Sequence, residues 1–224
     1  VTCSCLQQQQ VLKGILKLSQ YLRSISLKVN PGAWAYYAKR NSDERFASYR
    51  KSVAFECNDT CQFCGFKDKS HMQVVNIDGN YKNNKISNMV LACPLCAQCF
   101  FMEMIGKVDN TGAVLIYLPQ ISQENLNGLC HALFCAIING TKYAQEAQST
   151  YNDLRLLNKV IDERYGEGLS NPAFMGQMII DSPLDDRDVV TGELLNGVRV
   201  LPLLNKFTKC VQTWSKVALK GMSS

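Results

Sequence analysis

Cys61-Gln-Phe-Cys64 and Cys93-Pro-Leu-Cys96-Ala-Gln-Cys99 decide how this chain is read. A soft divalent ion takes four deprotonated ligands at the corners of a tetrahedron, and two C-x2-C pairs supply four thiolates. Each pair suits a tight turn. Gly65 follows the first and Pro94 sits inside the second, and both residue types favour turns. Cysteine pairs also serve as redox couples, as disulfides or as buried apolar residues. Two pairs at a domain-sized separation favour a structural zinc held by Cys61, Cys64, Cys93 and Cys96. The long interval between them, residues 65–92, calls for a hairpin or similar insert rather than a short finger loop. Cys99 either replaces a ligand, lies beside the ligands or packs inward, and packing is the preferred reading. Cys57 is a candidate spare ligand.

The rest of the composition sets bounds. The chain has 224 residues, 46% of them hydrophobic and 19% charged, as in a globular protein with a substantial core. No apolar run reaches the roughly 18 residues of a spanning helix. No secretory signal is read in residues 6–25, which Lys13, Lys17 and Arg23 interrupt. Eleven cysteines, an odd number, suit a reducing cytoplasm better than a disulfide scaffold. The net charge of +5 permits an acidic partner without demanding nucleic acid, and no basic stripe is evident. No glycine-rich phosphate loop is present, so any ATP use belongs to a partner.

Three regions are expected: an N-terminal extension at 1–25, a zinc-binding region at 26–120 and a helical region at 121–224 packed on it. In the extension, Leu12, Ile15, Leu16, Leu22 and Ile25 fit a short amphipathic helix, and a frayed tail fits equally. Asn30-Pro31-Gly32 is a turn, and Ser42 precedes a helix over 43–56. Residues 71–92 read as strand, polar turn, strand, with Met72–Ile77 and Met89–Ala92 extended. Gly112–Leu118 is a further strand. Ser122 caps a helix with Leu126, Leu129, Cys130, Leu133, Phe134 and Ile137 on its apolar face. Thr141 starts another helix, continuous to about Tyr165 and ended by Gly166 and Gly168. Pro172 begins a short helix through Ile180. Residues 181–196 form a polar stretch, and Pro202 opens a last helix containing Phe207, Cys210, Val211 and Trp214. Cys130, Cys135 and Cys210 are expected in the core, and Trp34 and Trp214 there or at a partner surface.

The segment from Cys61 to Cys99 resembles the zinc-stabilised HNH endonuclease fold. There a C-x2-C pair precedes a β-hairpin and a second pair opens a helix. Asn88-Met89-Val90-Leu91-Ala92-Cys93 matches the family's central asparagine run. Two signature positions depart from it. Asn76 stands where the family carries its general-base histidine, and Ala97 stands where it carries a metal-binding histidine. An amide is no base near neutral pH, whereas imidazole is. The chain holds only His71 and His131. On a regular strand His71 would face away from Asn76, and His131 reads as a packed or surface residue of its helix.

Further runs carry a closer likeness: Pro31-Gly32-Ala33-Trp34, Thr60–Phe66, Ala97–Phe101, Leu115–Pro119, Leu129–Cys135 and Gly166-Glu167-Gly168. Over about residues 26–220 the chain resembles the IcmJ (DotN) family of the Dot/Icm type IVB secretion system. The resemblance implies an α+β fold with an HNH-like, zinc-stapled ββα core and a helical C-terminal half. It implies a non-catalytic cytoplasmic adaptor or scaffold, held on the C-terminal extension of the coupling ATPase and at the inner membrane only through its partners. With other subunits of the coupling complex, such an adaptor serves effector proteins on their way to the channel. An HNH-family nuclease and a nucleic-acid-binding zinc module are the rival expectations.

Overall fold

The computed structural model describes residues 23–222. Most of the proposed N-terminal amphipathic face, Leu12, Ile15, Leu16 and Leu22, lies outside them. Its last member, Ile25, packs against the core, and its backbone N–H donates to Glu124 Oε2 at 3.1 Å.

Asn30-Pro31-Gly32 turns the chain into α1 (Ala33–Asn41), with Gly32 at φ 79°. Asp43 caps α2 (Glu44–Glu56) by accepting from the Arg45 N–H, which satisfies one of the orphan donors of a first turn. The cap is thus one residue later than Ser42. The knuckle at Cys61–Cys64 follows, and then β1 (Gln73–Asn76) pairs antiparallel with β2 (Met89–Ala92), Asn76 opposite Met89 and Gln73 opposite Ala92. Strand side chains alternate between faces. Val74 and Leu91 accordingly meet α2 around Val53, while Val75, Val90 and Ala92 enter the main core. Cys93 ends β2 and caps α3 (Pro94–Ala97), whose first residue is proline, a position that needs no N–H donor.

The C-terminal half is not purely helical. β3 (Ala113–Tyr117) forms a second two-stranded antiparallel sheet with β4 (Val198–Pro202), Ala113 opposite Pro202. Between the strands run α4 (Gln123–Ile138), α5 (Ala144–Leu156), α6 (Asn158–Tyr165), α7 (Pro172–Asp181) and α8 (Arg187–Leu194). α9 (Leu204–Met222) closes the described chain. The Ser122 cap is present, its hydroxyl accepting from the Asn125 N–H.

Four expectations need correction. The helix read from Thr141 to Tyr165 is two helices that break at Leu157, where the freed carbonyl accepts the Tyr117 N–H on the outer edge of β3. The polar stretch 181–196 contains α8. Pro202 ends a strand rather than opening a helix, because β4 finds its hydrogen bonds in β3, far back in the chain. Finally, His71 is not on β1. It precedes the strand, and its Nδ1 sits 2.8 Å from Asp68 Oδ2.

The main core joins both halves. Phe63, Leu95 and Phe100 from the first half pack with Leu126, Phe134, Tyr151, Phe207 and Val211 from the second. A second cluster gathers Met102, Leu115, Ile161, Met175, Ile179 and Val200. Gly176 lets α7 approach closely: a Cβ there would lie 2.8 Å from the Glu103 Cα. Trp34 is half-buried, edge-on to Phe101 at 5.2 Å between centroids. No helix among the described residues is long and apolar enough to cross a membrane.

Candidate metal centre

Two turns and one short helix bring the four thiols together. After Cys61 the chain reverses: the Gly65 N–H donates to the Cys61 carbonyl and the Cys61 N–H to the Phe66 carbonyl. Gly65 holds φ 74°, a left-handed conformation that costs glycine little. On the other side, β2 delivers Cys93 and the first turn of α3 delivers Cys96, with the Cys96 N–H on the Cys93 carbonyl. The four Sγ atoms of Cys61, Cys64, Cys93 and Cys96 lie within 4.8 Å of one another. Cys64 and Cys93 Sγ are 3.6 Å apart. Ligands about 2.3 Å from a tetrahedral zinc stand roughly 3.8 Å from each other, so the set fits a single ion. These four cysteines can hold a metal ion.

The electrostatics also favour a cation. Cys61, Cys93 and Cys96 are fully buried. Burial alone pushes the Cys61 thiol up, but hydrogen bonds from Cys64, Cys93 and Cys96 together outweigh it and hold Cys61 well below the usual thiol value. The compensation falls on its neighbours. Burial first, and then bonding toward Cys61 and Cys64, pushes Cys93 and Cys96 well above that value. A cation entering the cluster would displace the thiol protons that burial favours.

Cys99 and Cys57 stand outside the four. Cys99 is buried, its Sγ 3.6 Å from the Leu95 carbonyl, and burial pushes it up to about 12. It packs inward, as the sequence suggests. Cys57 ends α2 and packs with the Val74 and Leu91 group. Among the described residues every cysteine is free of disulfides. Cys130 and Cys210 are buried and Cys135 half-buried.

Two side chains that sequence reading did not attach to the cluster touch it from α4. His131 Nε2 is 3.2 Å from Cys93 Sγ, and Asn127 Nδ2 is 3.3 Å from Cys96 Sγ. Gln123, Asn127 and His131 repeat every four residues, which places three polar groups on one helical face. That face also buries Leu126, Cys130 and Phe134. A polar stripe on a buried face was the available signal. His131 stacks flat on Phe66, with centroids 3.7 Å apart, and burial pushes its pKa down to about 3. Trp214 packs steeply against His131, centroids 4.7 Å apart and planes at 62°, and its Nε1–H donates to Asp68 Oδ2 at 2.8 Å.

Asn76, at the end of β1, is the centre of a clamp. Asn76 is fully buried. Its Nδ2 donates to the Asn80 and Asn83 carbonyls at 2.8 and 2.9 Å, and its Oδ1 accepts from Arg40 Nη1 at 2.6 Å. Arg40 lies over Phe46 at 4.5 Å and over Tyr81 at 5.1 Å, and its Nη2 donates to the Val74 carbonyl. Asn88 ties the same loop by accepting from the Asp78 N–H and donating to Asp78 Oδ1. Ala97 is buried in α3.

No family model matches the chain. The "Type 4 apparatus protein DotN" of Legionella pneumophila subsp. pneumophila (strain Philadelphia 1) is 43% identical over 199 residues, 89% of this chain and 92% of that protein. The two cysteine pairs, their hairpin and the helical face that covers them all fall within one α+β chain whose length the relative nearly shares. On that identity and coverage, the chain belongs to the DotN family.

Proposed function

We propose that this chain is a zinc-stapled, non-catalytic adaptor subunit of a type IVB secretion coupling complex. It holds the C-terminal extension of the coupling ATPase and supports recruitment of effector proteins. It works in the cytoplasm, at the inner membrane only through its partners. One observation carries this reading: near full-length 43% identity to a type 4 apparatus protein.

Zinc is the ion that a buried four-thiolate set favours, and a structural site leaves no open position for substrate. The order Cys61–Cys64, β1, β2, Cys93–Cys96, α3 supports a degenerate HNH-type ββα unit, with zinc retained and catalysis lost. The clamp supports the loss. Asn76 cannot take a proton, and both ends of its amide are already bonded. The binding surface is placed on the helical half, where Leu156, Phe174 and Val189 are exposed beyond half of their area. There a groove of about 520 Å³ runs beside Val114, Leu203, Asn152 and Arg155. An ATPase segment that folds on contact would bury its apolar side in such a groove.

Titration against a coupling-ATPase tail peptide and against duplex DNA, each at low and moderate salt, tests the proposal. Tight peptide binding that weakens only mildly with salt is expected, because apolar burial dominates. Binding through phosphates weakens by orders of magnitude over that range. Tight, salt-steep DNA binding without peptide binding would sink the adaptor reading.

A further inference from the structure

We propose that Asn127 and His131 are positioning residues for the metal: their N–H groups bind the sulfurs of Cys96 and Cys93 and tie the metal centre to β4 and α9. This rests on the zinc reading above.

The argument begins with charge. A divalent ion on four thiolates leaves a net charge of about −2, and here it is sealed from water on three of four ligands. Buried charge is tolerated where donors point at it. Both α4 groups meet fully buried ligand sulfurs, His131 Nε2 at Cys93 and Asn127 Nδ2 at Cys96, the amide sharing its two hydrogens between that sulfur and the Leu95 carbonyl at 3.3 Å, and neither meets half-buried Cys64. His131 fits this role. With Nε2–H directed at the Cys93 thiolate, Nδ1 is a bare acceptor, and Nδ1 is the ring nitrogen that finds no partner among the described residues.

Each donor is itself held from behind. Asn127 Oδ1 accepts from Gln123 Nε2 at 3.0 Å. Gln123 in turn brackets Val200 of β4, Nε2 donating to its carbonyl and Oε1 accepting its N–H, both at 2.8 Å. A chain of amides therefore runs from Cys96 to β4. On the other arm, His131 is fixed between the face of Phe66 and the steeply tilted ring of Trp214 in α9, and Trp214 is anchored on Asp68 beside the first knuckle. With the metal bound, charge on the thiolates draws both donors inward.

Three measurements decide the matter. In wild-type protein loaded with NMR-active cadmium, the His131 Nε2–H and Asn127 Nδ2–H protons should show couplings to cadmium across their N–H···S bonds. His131→Phe keeps the stack on Phe66 and removes the donor, and Asn127→Leu removes the other. Each should bind zinc about 10- to 100-fold more weakly in competition with a chromophoric chelator, as loss of a partner to a ligand commonly costs. Each should also move the sulfur-to-metal charge-transfer band of the cobalt-loaded protein to longer wavelength, because an unbonded thiolate gives up its electrons more easily. A role in packing alone would not move that band. Cadmium-loaded wild type without either coupling overturns the inference, as do folded variants with wild-type affinity and an unmoved band. Wild type that holds no metal at all overturns the zinc reading together with this one.

Discussion

Replacing Asn76 by alanine tests whether this buried amide is a structural clamp. The substitution removes two bonds to the Asn80 and Asn83 carbonyls and one from Arg40 Nη1. The carbonyls are not orphaned. Asn80 still receives the Asn83 N–H, and Asn83 still receives Asn88 Nδ2. Those two bonds are therefore worth only about 0.5–1 kcal/mol each, near the low end for neutral pairs. The larger loss is at Arg40. Among the described residues its Nε already lacks a partner, and after the change only Nη2 retains one there, on the Val74 carbonyl. A bond to a charged group contributes about 1.5–3 kcal/mol, so the total is about 2.5–5 kcal/mol. For a chain of this size that lowers Tm by about 5–20 °C. The assay is thermal unfolding followed by circular dichroism, with zinc content measured alongside. Asn76→His, which loses the same bonds, should be destabilised as well and should cut no nucleic acid. A Tm drop under about 2 °C for Asn76→Ala, at unchanged zinc content, would refute the clamp.

Other outcomes follow from the same geometry. Cys61→Ser should lose zinc and solubility together, since metal binding and folding are one equilibrium worth on the order of 10 kcal/mol in small sites; full zinc in a Cys61→Ser, Cys93→Ser double variant would show that the ligands are misassigned. The protein should not cut DNA or RNA with magnesium, manganese or nickel, and cleavage that vanishes in Asn76→Ala would restore the nuclease reading. Burial raises the Glu103 carboxyl, with the backbone N–H groups of Glu103 and Asn30 and then the Lys107 charge pulling the other way. A raised folded-state pKa gives stability that is full below the unfolded value and is lost as pH rises through the folded one. Glu103→Gln should therefore raise stability at pH 7 and converge with wild type as pH falls below the unfolded value, as urea unfolding at several pH values would reveal.

What the sequence disclosed was local. The cysteine spacing, the Met89–Ala92 strand, the Ser122 cap and the start of α7 at Pro172 each depend on a few adjacent residues, and each is where it was read. What stayed hidden depends on distant partners. Val198-Arg199-Val200-Leu201 alternates weakly and becomes a strand because β3 offers it an edge. Leu157 interrupts a good helical pattern because its carbonyl is needed by Tyr117. The metal centre was legible in its four thiols and hidden in its surroundings. Asn127 and His131 read as ordinary helix residues until α4 is laid across the knuckles. Arg40 and Asn76 are likewise far apart in sequence, and neither announces the other.

The adaptor reading is tested most directly by isolating the tagged chain from native membranes of its own host and identifying every chain and ion that accompanies it. The account predicts a type IV coupling ATPase in near-stoichiometric amount, further coupling-complex subunits and one zinc per chain. Recovery of metal-loaded protein with nucleic acid, and without any coupling ATPase, would contradict it.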